Sequence, residues 1–352
     1  MAKGINTTGV RLLDYKEVLS SLPEKKKRHL LLGNGFSRAL RNDIFSYDAL
    51  FDQADFTSID PRIKDLFGSL GTTDFETVMR VLRDASNLIN VYLPKDKLLA
   101  NTLIEHSNAL KGLLAKTISD NHPAHPNEIK EEQYQHCRIF LNSFKDVYTL
   151  NYDLLLYWTL MHEELGDSLS NDDGFRTPDS GEQEYVTWEV ENSNKQTVFY
   201  LHGALHLFDA GAELQKYTWK NTQVRLIKQI QNALEEDRYP LIVAEGTADG
   251  KRRQIKHSGY LTRGFRSLSN IGETMIMFGV SCSKQDEHIL KAIEKGSGNG
   301  ITDIYVSIFG DPDSDANKRI IRRAKQMGIA RPKYRKALTV SFFDASTAKV
   351  WG

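Results

Sequence analysis

The stretch His29-Leu30-Leu31-Leu32-Gly33-Asn34-Gly35-Phe36-Ser37-Arg38 decides the fold. A short apolar run with little polar alternation enters a glycine-rich turn, and a helical pattern follows. Such a run suits a strand of a parallel sheet covered on both faces. Glycines at its end let backbone approach a ligand closely, and the next helix offers N–H donors there. Alone, the turn reads equally well as a plain strand-to-helix connection, and it lacks the third glycine of the dinucleotide fingerprint.

Similar segments recur at 147–150, 198–201, 241–244, 274–278, 304–309 and 338–343, with helical patterns between many of them. The alternation predicts an α/β fold with a Rossmann-like, doubly wound, mostly parallel sheet. Between the first two strands, Asp74-Phe75-Glu76-Thr77-Val78 reads as a capped helix start. Apolar spacing continues to Leu114, and His122-Pro123-Ala124-His125-Pro126 breaks it. The expected organisation is a lead-in over 1–28, a helical insertion over 61–127, and an α/β domain over 29–60 and 128–352.

Composition narrows the function classes. The 352 residues carry 46 basic and 46 acidic side chains, so zero net charge gives no support to direct nucleic-acid binding. No apolar run approaches the ~20 residues of a spanning helix. The opening Met-Ala-Lys-Gly-Ile-Asn has no secretory stretch. A cytoplasmic protein away from membranes is expected. Cys137 and Cys282 stand too far apart for a zinc ribbon, and a disulfide framework is not expected. Residues 163–191 hold ten acids and only Arg176, which reads as a solvated insertion. Residues 318–336 hold nine bases and no acid, which reads first as the polar face of a late helix.

Three further strand ends carry polar or small residues where parallel sheets bind ligands. In Thr149-Leu150-Asn151-Tyr152-Asp153, Asn151 and Asp153 are candidate ligand or helix-capping groups. In Leu201-His202-Gly203-Ala204-Leu205-His206, His202 is a candidate base and His206 reads either as a residue that supports the site from behind or as a packing residue. In Phe278-Gly279-Val280-Ser281-Cys282, small residues leave room for a ligand, and Cys282 reads as packing rather than as a nucleophile.

The order of these motifs resembles the sirtuin (SIR2) family. There, a Gly-Ala-Gly-x-Ser loop holds the NAD phosphates, an Asn and a His at successive strand ends are catalytic, and a Gly-Thr-Ser strand end contacts adenosine. The resemblance covers about 29–50, 146–156, 198–208 and 272–310. It departs in lacking the four-cysteine zinc module and the Gly-Ile-Pro-Asp-Phe-Arg stretch, and in placing Leu150 where the family has Gln. What is lost serves acyl-lysine recognition; what is kept serves NAD. The pattern is similar to SIR2-like proteins of bacterial antiphage defence, including the group with Gly-Asn-Gly-Phe-Ser and Asp-Phe-Glu-Thr-Val motifs filed as a domain of unknown function (DUF4917).

The resemblance implies an NAD+ glycohydrolase that releases nicotinamide and ADP-ribose, with NAD as substrate and no metal. Asn151 and His202 would be catalytic. Gly33, Asn34, Gly35, Phe36 and Ser37, with Asp153, Gly279 and Ser281, would bind the dinucleotide, the first turn cradling the pyrophosphate through backbone N–H groups. It also implies an abortive-infection role, with a homo-oligomer or a complex with an ATPase or Argonaute-type protein. Three competing readings are a non-catalytic NAD or ADP-ribose sensor, an NAD-dependent deacylase, and an ADP-ribosyl transferase.

Overall fold

In the computed structural model, Leu30 and Leu32 enter one hydrophobic cluster while Leu31, between them, enters another. That alternation marks a strand with apolar packing on both faces. The structure describes residues 9–23, 26–162, 171–178, 181, 183–218, 224–244, 247–296 and 300–352. Its strands are β1 (Leu12–Leu13), β2 (Arg28–Leu32), β3 (Asp146–Thr149), β4 (Phe175–Arg176), β5 (Tyr185–Trp188), β6 (Val198–Tyr200), β7 (Leu207–Asp209), β8 (Leu214–Tyr217), β9 (Glu273–Phe278), β10 (Ile301–Ile308) and β11 (Thr339–Asp344).

Seven strands form one sheet in the order β1-β11-β10-β9-β2-β3-β6, and every pairing in it is parallel. With the two-residue β1 set aside and the other six numbered along the chain, the order is 3-2-1-4-5-6. That is the Rossmann-like doubly wound arrangement. The order reverses between β2 and β9, so their carboxyl ends flank the crevice where such sheets take ligands.

Helices cover both faces. Tyr134, Phe140 and Leu141 of helix Glu131–Leu141 share a cluster with Leu30, Leu32 and Val147. Ile289, Leu290 and Ile293 of helix Glu287–Lys295 share the other with Met275, Met277, Ile304 and Val306. Each such side chain contributes roughly 1.5–3 kcal/mol by leaving water. Between β2 and β3 run helices that include Pro61–Leu70, Phe75–Tyr92 and Lys97–Asn121. Asp74 caps the second, accepting from Glu76 N at 3.0 Å. Phe75, Val78, Leu110 and Leu114 from these helices join the same cluster as Leu30, so their apolar core is continuous with that face of the sheet.

Three sequence expectations are corrected. Residues 241–244 do not form a strand of the parallel sheet: Ile242 makes a single bridge to Gly203. Leu241 N donates to Leu207 O at 2.7 Å and Val243 N to His202 O at 2.8 Å, so the segment braces the turn after β6 instead. The acidic stretch is not wholly a solvated insertion. Residues 163–170, 179, 180 and 182 lie outside the described residues, but β4 and β5 belong to a second, antiparallel sheet ordered β4-β5-β8-β7. Asp173 there meets Lys216, and Asp172 meets Arg176. Finally, the basic stretch is only partly solvent-facing. Helix Asp315–Ala330 exposes Arg319, Arg322 and Lys325. Arg323 binds Glu287 and Glu294, and the buried Arg331 donates to three backbone carbonyls.

Candidate functional site

The turns after β2 and β9 meet backbone to backbone. Gly33 N donates to Phe278 O and Gly35 N to Gly279 O, each at 3.0 Å. Gly279 has φ +67°, and a Cβ on Gly35 would lie 2.5 Å from Gly279 Cα. Glycine is therefore required by the approach of the two turns. This corrects the expected phosphate cradle: the N–H groups of Gly33 and Gly35 already serve the neighbouring strand end. Asn34 ties the loop down through Nδ2, which donates to Phe45 O at 2.9 Å. Phe36 is buried 5.0 Å from the Trp351 ring, and Trp351 Nε1 donates to Phe36 O. Neither Phe36 nor Ser37 lines the cavity described below.

Ser37 instead links two residues of the β3 end. Its hydroxyl donates to Asp153 Oδ2 and accepts from Asn151 Nδ2 at 2.9 Å. Asp153 Oδ1 accepts at 2.9 Å from the N–H of Leu155, the first residue of helix Leu155–Met161. Burial raises the Asp153 carboxyl above its ordinary range. Asn151 N donates to Thr149 Oγ1. Ser37 takes one of the two Nδ2 hydrogens, which fixes the amide and leaves Oδ1 and the second N–H for a ligand.

His202 follows β6, and Gly203 after it turns at φ +77°, where a Cβ would collide with Leu241 O. The imidazole is almost fully buried and its Nε2 lies 3.1 Å from His288 Nε2 and 4.0 Å from Asp286 Oδ1. Burial first, then Lys251 and His288, hold it well below its usual range, so it is neutral near pH 7. Burial likewise lowers His288 to about 4. His206 is packed between Tyr157 and Tyr200, as expected for a structural residue.

Sequence reading missed a polar group beside these residues. Glu76 was legible only as part of a capped helix start, yet its Oε1 accepts from Tyr152 OH at 2.8 Å and its Oε2 from Lys251 Nζ at 2.7 Å. Lys251 also reaches Asp286 Oδ1 at 3.3 Å and is fully buried. Burial raises the Glu76 carboxyl to about 7, with Lys251 opposing and Asp286 and Asp74 adding to the rise. Burial works against the charge of Lys251, but Glu76 and Asp286 outweigh it and hold the ammonium protonated. The only available sequence signal was the position of Glu76 in the first helical turn, which capping explains without a ligand.

A cavity of about 820 Å³ lies at the sheet's switch point. Gly33, Asn151, His202, Gly279, Glu76 and Asp286 are among its lining residues, and Asn34, Gly35, Asp153 and Ser281 join them. Cavities of this size hold cofactor-sized ligands. Cys282 does not line it, and burial pushes its thiol up to about 12, which suits a packing role. Among the described residues no group of His, Cys, Asp or Glu is arranged to hold a metal. No described helix is long and apolar enough to cross a membrane.

Fold and cavity together define an α/β protein with a parallel Rossmann-like sheet and a ligand-sized site at its switch point. The chain belongs to the family described as Domain of unknown function (DUF4917), which matches residues 30–351. No curated protein matches the sequence.

Proposed function

We propose that this protein is a SIR2-like NAD+ glycohydrolase. The observation that carries the reading is that Asn151 and His202, from separate strand ends, line one cavity beside the Gly33–Gly279 contact. The order of the four strand-end motifs, similar to that of SIR2 proteins, supports NAD as the ligand.

Nicotinamide leaves NAD+ as a neutral ring, so cleavage needs no strong general acid. The C1′–N bond breaks, its electron pair goes to the ring nitrogen, and positive charge moves onto the ribose. Water then adds at C1′ and releases one proton. Asn151, fixed through Ser37, presents Oδ1 to a ribose hydroxyl or to that water. His202 is neutral and offers a lone pair, but holds a proton poorly, so it relays the proton rather than storing it. Gly279 and Ser281 border the adenosine end.

Purified protein incubated with NAD+ releases nicotinamide, and Asn151→Ala or His202→Ala loses that release while melting cooperatively. Full turnover by both variants refutes the assignment. Loss of NAD+ arrests a cell, so the same reading makes this a cytoplasmic defence effector whose turnover is measurable but low until self-assembly or a partner raises it. A monomer with full constitutive activity contradicts that extension.

A further inference from the structure

We infer that Glu76 is a catalytic residue of this cavity: its carboxylate accepts a hydroxyl of the ribose bearing the cationic ring and stabilises the positive charge that moves onto that ribose. The inference rests on the dinucleotide reading and adds to it a residue that no strand-end motif contains.

Glu76 lines the same cavity as Asn151 and His202 and is held at both oxygens, by Tyr152 OH at 2.8 Å and Lys251 Nζ at 2.7 Å. Each carboxylate oxygen keeps a further acceptor position, so a substrate hydroxyl can add to this set. Tyr152 stands between Asn151 and Asp153, so the turn that presents the amide also fixes the carboxylate. The two are aimed by one piece of backbone.

Glu76 and Asp286 share the ammonium of Lys251, which lies between them, while the neighbouring His202 and His288 are neutral. In its ionised form Glu76 favours a positive group beside it, and a ribosyl pyridinium is such a group. As the C1′–N bond breaks, the charge passes from ring to ribose and stays beside the same wall. Glu76 need not change protonation: the leaving electron pair goes to nicotinamide, and the proton of the added water leaves by His202.

The test measures nicotinamide release for the wild-type chain, Glu76→Gln and Glu76→Asp. Calorimetry follows the binding of ADP-ribose and of the oxidised and reduced forms of carbocyclic NAD, which cannot lose the ring. Thermal melting is recorded alongside. Glu76→Gln is expected to lower kcat about 100-fold and to leave the ADP-ribose Kd unchanged. It also erases an approximately tenfold wild-type preference for the oxidised analogue, and Glu76→Asp keeps part of both properties. Near-wild-type kcat in Glu76→Gln, or equal binding of the two analogues by the wild type, overturns the inference. If Glu76→Gln does not fold, the wild-type analogue preference and Glu76→Asp decide. Wild-type protein that binds ADP-ribose but releases no nicotinamide overturns the hydrolase reading, and the catalytic role with it. Failure to bind ADP-ribose overturns the dinucleotide reading as a whole.

Discussion

Asn151 Nδ2 lies 2.9 Å from Ser37 Oγ although 114 residues separate them in the chain. The serine hydroxyl passes on to Asp153, so one buried oxygen fixes both polar residues of the β3 end. Ser37→Ala leaves the Asp153 carboxylate and the Asn151 amide each short of a partner. Urea unfolding is expected to show a loss of about 1–3 kcal/mol. Nicotinamide release falls with it, because Asn151 is no longer held; unchanged stability contradicts the bridge.

Gly279→Ala brings a Cβ to 2.6 Å from Gly35 Cα at a residue whose φ is +67°. Neither turn can yield without separating the ends of β2 and β9, so a loss well above the ~1–2 kcal/mol of left-handed backbone alone is expected. Gly68→Ala is the control of opposite sign: it sits in helix Pro61–Leu70 with open space around it and gains about 0.5–1 kcal/mol. Melting temperatures of the two variants check both expectations.

Acid is expected to unfold this protein more readily than mild alkali. Burial, as the main cause, holds His122 and His288 at about 4 and His202 and His206 well below 6.5. Each takes up a proton on unfolding, so its contribution is complete above 6.5 and is lost as pH falls toward the folded value. Glu76, raised to about 7, and Asp153, also raised, act in the opposite sense: their contribution fades as pH rises through the folded value. Four groups outweigh two. Unfolding stability should drop by at least about 1 kcal/mol per pH unit between about pH 6.5 and 5, and a flat urea midpoint across that range contradicts this.

Lys251→Met removes the one ammonium between Glu76 and Asp286. Lys251 opposes the rise of the buried Glu76 carboxyl, so without it Glu76 must either stay ionised with no ammonium beside it or take up a proton, and at about pH 8 a loss of about 3 kcal/mol or more is expected. At about pH 6, where Glu76 already takes up a proton in the wild type, the loss shrinks. Lys251→Met with Glu76→Gln should regain part of the loss at the higher pH, a coupling that a double-mutant cycle reads directly.

Much of the sheet was legible because its strands are short, apolar and buried on both faces; six of the predicted segments match β2, β3, β6, β9, β10 and β11 within a few residues. Residues 241–244 carry the same apolar composition but lie against the His202–Leu207 segment, and composition does not reveal which backbone a segment pairs with. β4 and β5 were hidden because Asp172 and Asp173 read as solvated charge, whereas Arg176 and Lys216 neutralise them in the fold. That Asn151 and His202 would lie beside one cavity was legible because topology aims such strand-end positions at the switch point. Glu76 and Lys251 come from α-helices and Asp286 from a short 3-10 helix, where local pattern explains each as a cap or a solvated charge. Their meeting exists only in three dimensions.

His202 and His288 face each other through identical atoms, Nε2 to Nε2. A single hydrogen must serve both, so when one ring gives it up, that ring carries its own hydrogen on Nδ1. The tautomer of His202 is thereby set by a partner that does not line the cavity. A ligand that fixes one ring dictates the state of the other, on the helix whose Glu287 and Glu294 grip Arg323. Any change in the His202 tautomer is thus matched at His288, on the helix Glu287–Lys295.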